Sequence, residues 1–160
     1  GIVTAFDRLA ALHAFEICKP DVVLYDVLGD VVCGGFAMPL RGGYADVVLV
    51  VTSGEMMSLY AAGNICAAVR EFSAYTPLRL GGLIVNERNI PDEAGKIAAF
   101  SQEENVPVFG RIPRSPLVQA AEDVGRTVVA QFPDSDQARV YEALAARLPE
   151  FADGEKSPCT

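Results

Sequence analysis

The chain has 160 residues, 51% of them apolar and 21% charged, a globular composition of about one domain's length rather than a disordered segment. Its 13 Lys and Arg against 21 Asp and Glu leave a formal net charge of −8, which argues against nucleic-acid partners, since these are held through a basic surface. No apolar run has the length of a bilayer-spanning helix, so no membrane partner is expected. The four cysteines, Cys18, Cys33, Cys66 and Cys159, are too few and too scattered for a disulfide framework, and a reducing, cytoplasmic setting is expected.

Ile2, Ala5, Phe6, Leu9, Leu12 and Phe15 recur at steps of three and four and predict one helix ending at Pro20. Gly1-Ile2-Val3-Thr4-Ala5 enters that pattern directly, as though the chain opens inside a larger domain. Asp21 to Asp26 is a short apolar run between carboxylates and predicts a buried strand. Val27 to Tyr44, with five glycines and Pro39, predicts a long loop, a length associated with function in compact domains. Asp46 to Thr52 predicts a second strand. The unbroken apolar character of both runs suits parallel strands covered on both faces.

Ser53-Gly54-Glu55 opens a predicted helix to about Phe72, with Met57, Tyr60, Ala61, Ile65, Ala68 and Val69 as its apolar stripe. Leu78 to Asn86 predicts a strand, Pro91 to about Glu104 a helix, and Val106 to Ile112 a strand. Pro113 to Glu122 predicts a loop and short helix, and Asp134 to Leu148 a last helix with Ser135 or Asp134 as N-cap. The alternation predicts an α/β domain with a mostly parallel sheet and flanking helices over residues 1–151, and a disordered tail over 152–160.

Ligands of such folds lie beyond the C-terminal ends of the strands. Asp26 follows Val-Val-Leu-Tyr, the form of an element whose carboxylate holds Mg²⁺ beside bound phosphates; a turn former reads the same way. Asp30, four residues on, offers a second carboxylate for a water, or is a solvated loop acid. Cys33 precedes Gly34-Gly35, which suits an exposed thiolate ligand, or it is a small buried hydrophobe. One thiolate cannot hold a 4Fe–4S cluster alone, and Cys18, Cys66 and Cys159 lack ligand spacing to Cys33. Asn86 and Pro113-Arg114 at strand ends can meet a nucleotide base, or cap loops and charge the surface.

The stretch from Tyr25-Asp26-Val27-Leu28-Gly29-Asp30 through Val31-Val32-Cys33-Gly34-Gly35-Phe36-Ala37-Met38-Pro39 resembles the nitrogenase iron protein and its nitrogenase-like relatives. Ser53-Gly54-Glu55-Met56-Met57-Ser58-Leu59-Tyr60 through Ile65, and Leu80-Gly81-Gly82-Leu83-Ile84-Val85-Asn86-Glu87-Arg88, match two further signatures of that family. The resemblance runs from Gly1 to about Phe151 and implies a P-loop NTPase-like fold working as a homodimer. It also implies MgATP and one 4Fe–4S cluster shared between the two subunits, with an electron passed to the catalytic component of nitrogenase or of a nitrogenase-like reductase. By resemblance Cys33 is a cluster ligand, Asp26 the switch acid at the Mg²⁺ end and Asp30 the acid that assists hydrolysis. Asn86, Pro113, Arg114, Gln119, Gln137 and Tyr141 correspond to the surround of the adenine and ribose. The loop joining Asp26 to Cys33 would then couple phosphates to cluster.

The family's N-terminal portion, with its first strand, phosphate-binding loop and second cluster cysteine, has no counterpart in these residues. Without that loop's N–H cradle and lysines, the 160 residues alone are expected neither to hydrolyse ATP nor to assemble a stable cluster. Ser115 stands where many nitrogenase members carry Asp, and Thr52 where they often carry Cys. Gly42-Gly43-Tyr44-Ala45-Asp46 looks somewhat like the reductases of tetrapyrrole reduction in chlorophyll or F430 biosynthesis, whereas Ser53-Gly54-Glu55-Met56-Met57 looks like the nitrogenase group, and a non-catalytic remnant or interaction module is the reading from a different class.

Overall fold

The computed structural model describes residues 2–27, 29 and 44–151. Two helices open the chain, α1 (Ile2–Ala11) and α2 (Ala14–Cys18). Strand β1 (Val47–Thr52) leads into α3 (Met56–Ser73), β2 (Arg79–Asn86) into α4 (Glu93–Glu103), and β3 (Val108–Ile112) into α5 (Pro116–Glu122). Helices α6 (Val128–Gln131) and α7 (Asp136–Arg147) follow, and a 3-10 turn over Leu148–Phe151 closes the described chain. The three strands form one sheet in the order β1-β2-β3, and β2 pairs with β3 in parallel, as the α/β alternation predicts.

The described residues group into two units, one drawn from residues 2–48 and 61–80, the other from 49–60 and 81–151. In the first unit the core is Ala62, Cys66, Val69 and Leu78, with Val27, Val48, Ile65, Ala68, Phe72 and Leu80 against Val69 and Leu78. The second buries Val50, Leu59, Leu83, Val85, Ile97, Val106 and Phe109. A satellite cluster there of Ala121, Val128 and Ala138 is covered by Val118, Val129, Phe132 and Tyr141. Each fully buried Leu, Ile or Val contributes about 1.5–3 kcal/mol relative to exposure.

Several elements depart from the sequence-based expectation. The single helix to Pro20 is broken at Leu12-His13, where His13 takes a left-handed conformation (φ 50°). Asp21 to Asp26 is not a strand: Val22, Val23 and Leu24 are exposed. An apolar run becomes a strand only when neighbouring strands take up its N–H and C=O groups, and these residues find none among the described ones. The buried stripe of α3 is Leu59, Ala62, Cys66 and Val69, while Met57 and Tyr60 point outward. Helix periodicity alone leaves that face ambiguous, because α3 carries apolar residues on more than one side. Covering of both faces also fails at Val51, which is 63% exposed between buried Val50 and Thr52. The short α6, capped by the Thr127 side chain accepting from the Ala130 N–H, was not expected.

Other boundaries agree within a few residues, and Ser135 is the α7 N-cap, its hydroxyl oxygen accepting from the Ala138 N–H. The two parallel strands approach closely at Gly82, whose φ of +145° is open to glycine alone. A side-chain carbon there would meet the Phe109 Cβ and the Pro107 carbonyl oxygen at 2.9 Å. At the other side of β3, the Arg147 guanidinium lies 4.3 Å from the centre of the Phe109 ring and donates to the Phe109 carbonyl, tying the end of α7 to the strand.

Candidate functional site

The parallel pairing of β2 and β3 brings their C-terminal ends side by side. Asn86 is the register partner of Ile112, so it stands next to the residue before Pro113. The Glu87 N–H donates to the Ile112 carbonyl at 2.9 Å and continues the ladder one step beyond the strand. Asn86, Pro113 and Arg114 are exposed there. Ser115 then caps α5, accepting from the Leu117 N–H at 3.2 Å, with Pro116 at the first helical turn.

Helix α5 packs through Val118 and Ala121 into the cluster that holds Ala138 and Tyr141 of α7. Gln119, Gln137 and Tyr141 are therefore carried on neighbouring helices, although 18 to 22 residues separate the last two from the first. Gln137 and Tyr141 are one turn apart and share a face of α7. Gln137 is buried to 5% exposure, and its side-chain Nε2 has no hydrogen-bond partner. Tyr141 is half-buried. Gln119 is exposed, and its amide donates to Asp123 Oδ1 at 3.0 Å. All six residues singled out for base and ribose contact thus fall in one unit.

Beside Asn86 lies an open recess of about 220 Å³, lined by Val51, Thr52, Ser53, Glu55, Ser58, Asn86 and Arg88. Its polar wall comes from the loop after β1 and the turn after β2. Ser53 Oγ donates to Glu55 Oε2 at 3.1 Å, and Arg88 Nε stands 3.8 Å from the same carboxylate oxygen. Both charged side chains are about half exposed, so water screens that pair.

Beneath this wall sits a carboxylate that sequence reasoning missed. Glu93, in the first turn of α4, is only 9% exposed. Its Oε1 accepts from the Gly54 and Arg88 N–H groups at 3.1 Å each, and its Oε2 accepts from Arg88 at 3.1 Å and Asn89 at 2.9 Å. Burial alone would push this carboxyl up, but the backbone N–H groups of Arg88, Gly54, Asn89 and Ile90 outweigh it and hold the group below its ordinary value. In sequence, an acid in a first helical turn reads as a solvated partner of the helix dipole, and nothing local marks it as buried.

Three further candidates, Asp26, Asp30 and Cys33, are not among these residues. Asp26 is described and exposed, but it does not end a strand, and it belongs to the other unit. Asp30 and Cys33 lie outside the described residues, as do most of the glycine-rich loop and the tail over 152–160. Cys66 is fully buried and Cys18 exposed. Among the described residues no three His, Cys, Asp or Glu side chains gather as metal ligands, and no helix is long and apolar enough to cross a membrane.

The fold has solved counterparts in cell-division ATPases. The MinD protein of Aquifex aeolicus superposes with a TM-score of 0.56 at 20% identity, over 81% of this chain and 52% of that one. MinD of Pyrococcus furiosus gives 0.54 at 20% identity, over 68% and 44%. These establish a P-loop NTPase-like α/β fold. In sequence the chain is 49% identical over 150 residues to a nitrogenase iron protein of Methanospirillum hungatei JF-1, covering 92% of this chain and 52% of the relative. It is also 49% identical over 145 residues to nitrogenase iron protein 2 of Methanothermobacter thermautotrophicus, covering 91% and 53%. The chain therefore spans about half the length of the curated relatives it matches. Residues 1–156 match the family described as 4Fe-4S iron sulfur cluster binding proteins, NifH/frxC family, and with identity of this order over nine-tenths of its length the chain belongs to that family.

Proposed function

We propose that the protein is the ATP-dependent, electron-donating iron–sulfur reductase component of a nitrogenase, acting as a cytoplasmic homodimer on a catalytic partner protein. The observation that carries this reading is the family match over residues 1–156, joined to relatives named nitrogenase iron protein at 41–49% identity.

The chemistry of the residues at the ends of β2 and β3 and on α5 and α7 supports a nucleotide site in this reading. Gln137 Nε2 is a buried donor with no partner, and such a group costs stability unless a ligand or water completes it. A ring nitrogen or ribose oxygen is an acceptor of the required kind. Asn86 presents an amide, the side chain best matched to adenine's adjacent donor and acceptor. Tyr141 supplies a half-buried ring, and Pro113, Arg114 and Gln119 form the open rim. Bound MgATP would supply the free energy for a conformational step, and the cluster the one-electron carrier. In this reading Asp26 holds the magnesium end, Asp30 orients water for hydrolysis, and Cys33 is one of the cluster thiolates contributed by each subunit.

The test uses the full-length protein, purified without oxygen and mixed with its nitrogenase catalytic component. MgATP-dependent electron transfer, lost together with bound iron in Cys33→Ser, is the expected result. A fully cluster-loaded protein that passes electrons to a tetrapyrrole reductase and none to a nitrogenase component would overturn it.

A further inference from the structure

We propose that Glu93 is a positioning residue, whose carboxylate clasps the loop after β1 to the turn after β2 and thereby orients Asn86 toward a nucleotide base. This inference rests on the reading of Asn86 as a base contact.

The backbone of the turn that follows Asn86 is held from two sides. On one side the Glu87 N–H is held by the Ile112 carbonyl of β3. On the other, Arg88 and Asn89 donate their N–H groups to Glu93. Asn89 sits in the left-handed region at φ 58°, which asparagine tolerates better than most side chains, and this sharp bend turns its N–H toward Glu93. Both N–H groups of this bend therefore end on one side chain, two and three residues past Asn86.

The same carboxylate reaches the loop after β1 through the Gly54 N–H. Close approach there depends on glycine: a side-chain carbon on Gly54 would stand 2.6 Å from Glu93 Cγ and 3.3 Å from Glu93 Cα. The missing Cβ and the convergent N–H groups are separate observations with one explanation, a seat shaped for the Glu93 side chain. Charge-assisted bonds to backbone N–H groups are the stronger class of hydrogen bond, so a neutral side chain at 93 would slacken both loops at once. Glu93 has no direct route to the ligand in this arrangement; it acts through the residues it holds.

The experiment measures equilibrium binding of MgATP and of MgITP, which carries a carbonyl in place of adenine's amino group, to the full-length protein. Asn86→Ala and Glu93→Gln are each expected to weaken MgATP by about tenfold and to draw the ATP-to-ITP affinity ratio toward one. Because Glu93 acts through Asn86, the double variant should bind MgATP no more weakly than Asn86→Ala alone. A ratio unchanged in Glu93→Gln but lost in Asn86→Ala overturns the positioning role and leaves the base contact standing. A ratio unchanged in Asn86→Ala overturns both. Additive losses in the double variant also overturn the inference, since a general structural support would add. Should Glu93→Gln fail to fold, Glu93→Asp keeps the charge but shortens the reach by one methylene, and the same outcomes decide.

Discussion

Replacing Gly82 by alanine tests the closest packing in the sheet. At φ +145° an L-residue is strained by about 1–3 kcal/mol. The new Cβ would also press on the Phe109 Cβ and the Pro107 carbonyl oxygen, both at 2.9 Å, and on the Phe109 nitrogen at 3.3 Å. Two of those three atoms are backbone and cannot swing aside. The Pro107 oxygen is moreover the acceptor for the Leu83 N–H at 2.8 Å, so relief of the clash stretches the β2–β3 ladder. Overpacking of this kind costs about 1–3 kcal/mol, which brings the expected loss to roughly 2–6 kcal/mol, a large share of the ~5–15 kcal/mol that folded domains hold. Gly125 provides the control. It too has positive φ, +66°, but no atom lies within 4 Å of its would-be Cβ. Gly125→Ala therefore carries the conformational cost alone, about 1–2 kcal/mol. Urea unfolding of the two variants, followed by circular dichroism, should place the Gly82→Ala midpoint well below that of Gly125→Ala. Equal midpoints would refute the steric argument and leave only the dihedral cost.

Glu93→Gln should also show a characteristic pH dependence. The Glu93 carboxyl is held below its ordinary value in the folded protein, so its contribution is complete above the unfolded-state value of about 4.3 and is lost as the pH falls through the lower folded-state value. The destabilisation by Glu93→Gln, of about 1–3 kcal/mol for charge-assisted bonds, should be full at neutral pH and shrink on acidification; a penalty that is constant down through the folded-state titration would contradict the clasp. Cys18 and Cys66 should separate in thiol labelling, because Cys18 is exposed and Cys66 lies in the core of α3 at 0% exposure. Mass spectrometry after brief alkylation should find Cys18 modified and Cys66 protected until denaturant is added; equal labelling of the native protein would show that the Cys66 side of α3 is not packed as described.

Much of the fold was legible because it rests on local rules. Ser135 as one of two candidate N-caps, the loop and short helix that open at Pro113, and the alternation of apolar runs with helical periods all act within a few residues. The structure agrees with them. Val22-Val23-Leu24 shows the limit of such rules. Its composition suits a strand, yet pairing decides strand formation, and the run stands exposed with no strand partner among the described residues. In α3, Ile65, Ala68 and Val69 lie in or against the core as expected, but the first turns of its expected face failed for a related reason. Met57, Tyr60, Leu59 and Ala62 all satisfy an apolar pattern, and only the surfaces packed against the helix select Leu59 and Ala62 for burial.

The candidate site divides in the same way. Family signatures in the sequence single out Asn86, Pro113, Arg114, Gln119, Gln137 and Tyr141 one by one. Parallel register at Asn86 and Ile112, and the packing of α5 against α7, are what collect them into one unit. Glu93 belongs wholly to the second kind of knowledge. Its neighbours in the chain give no sign that it is buried, because its hydrogen-bond donors come from a turn four and five residues earlier and from Gly54, 39 residues away. Composition, periodicity and motifs determined the α/β class, the alternation of strand and helix from β1 to α5, the last helix α7 and the family. Tertiary structure alone decided which acid is desolvated and which amide is left without a partner, since both depend on atoms that the chain brings together only on folding.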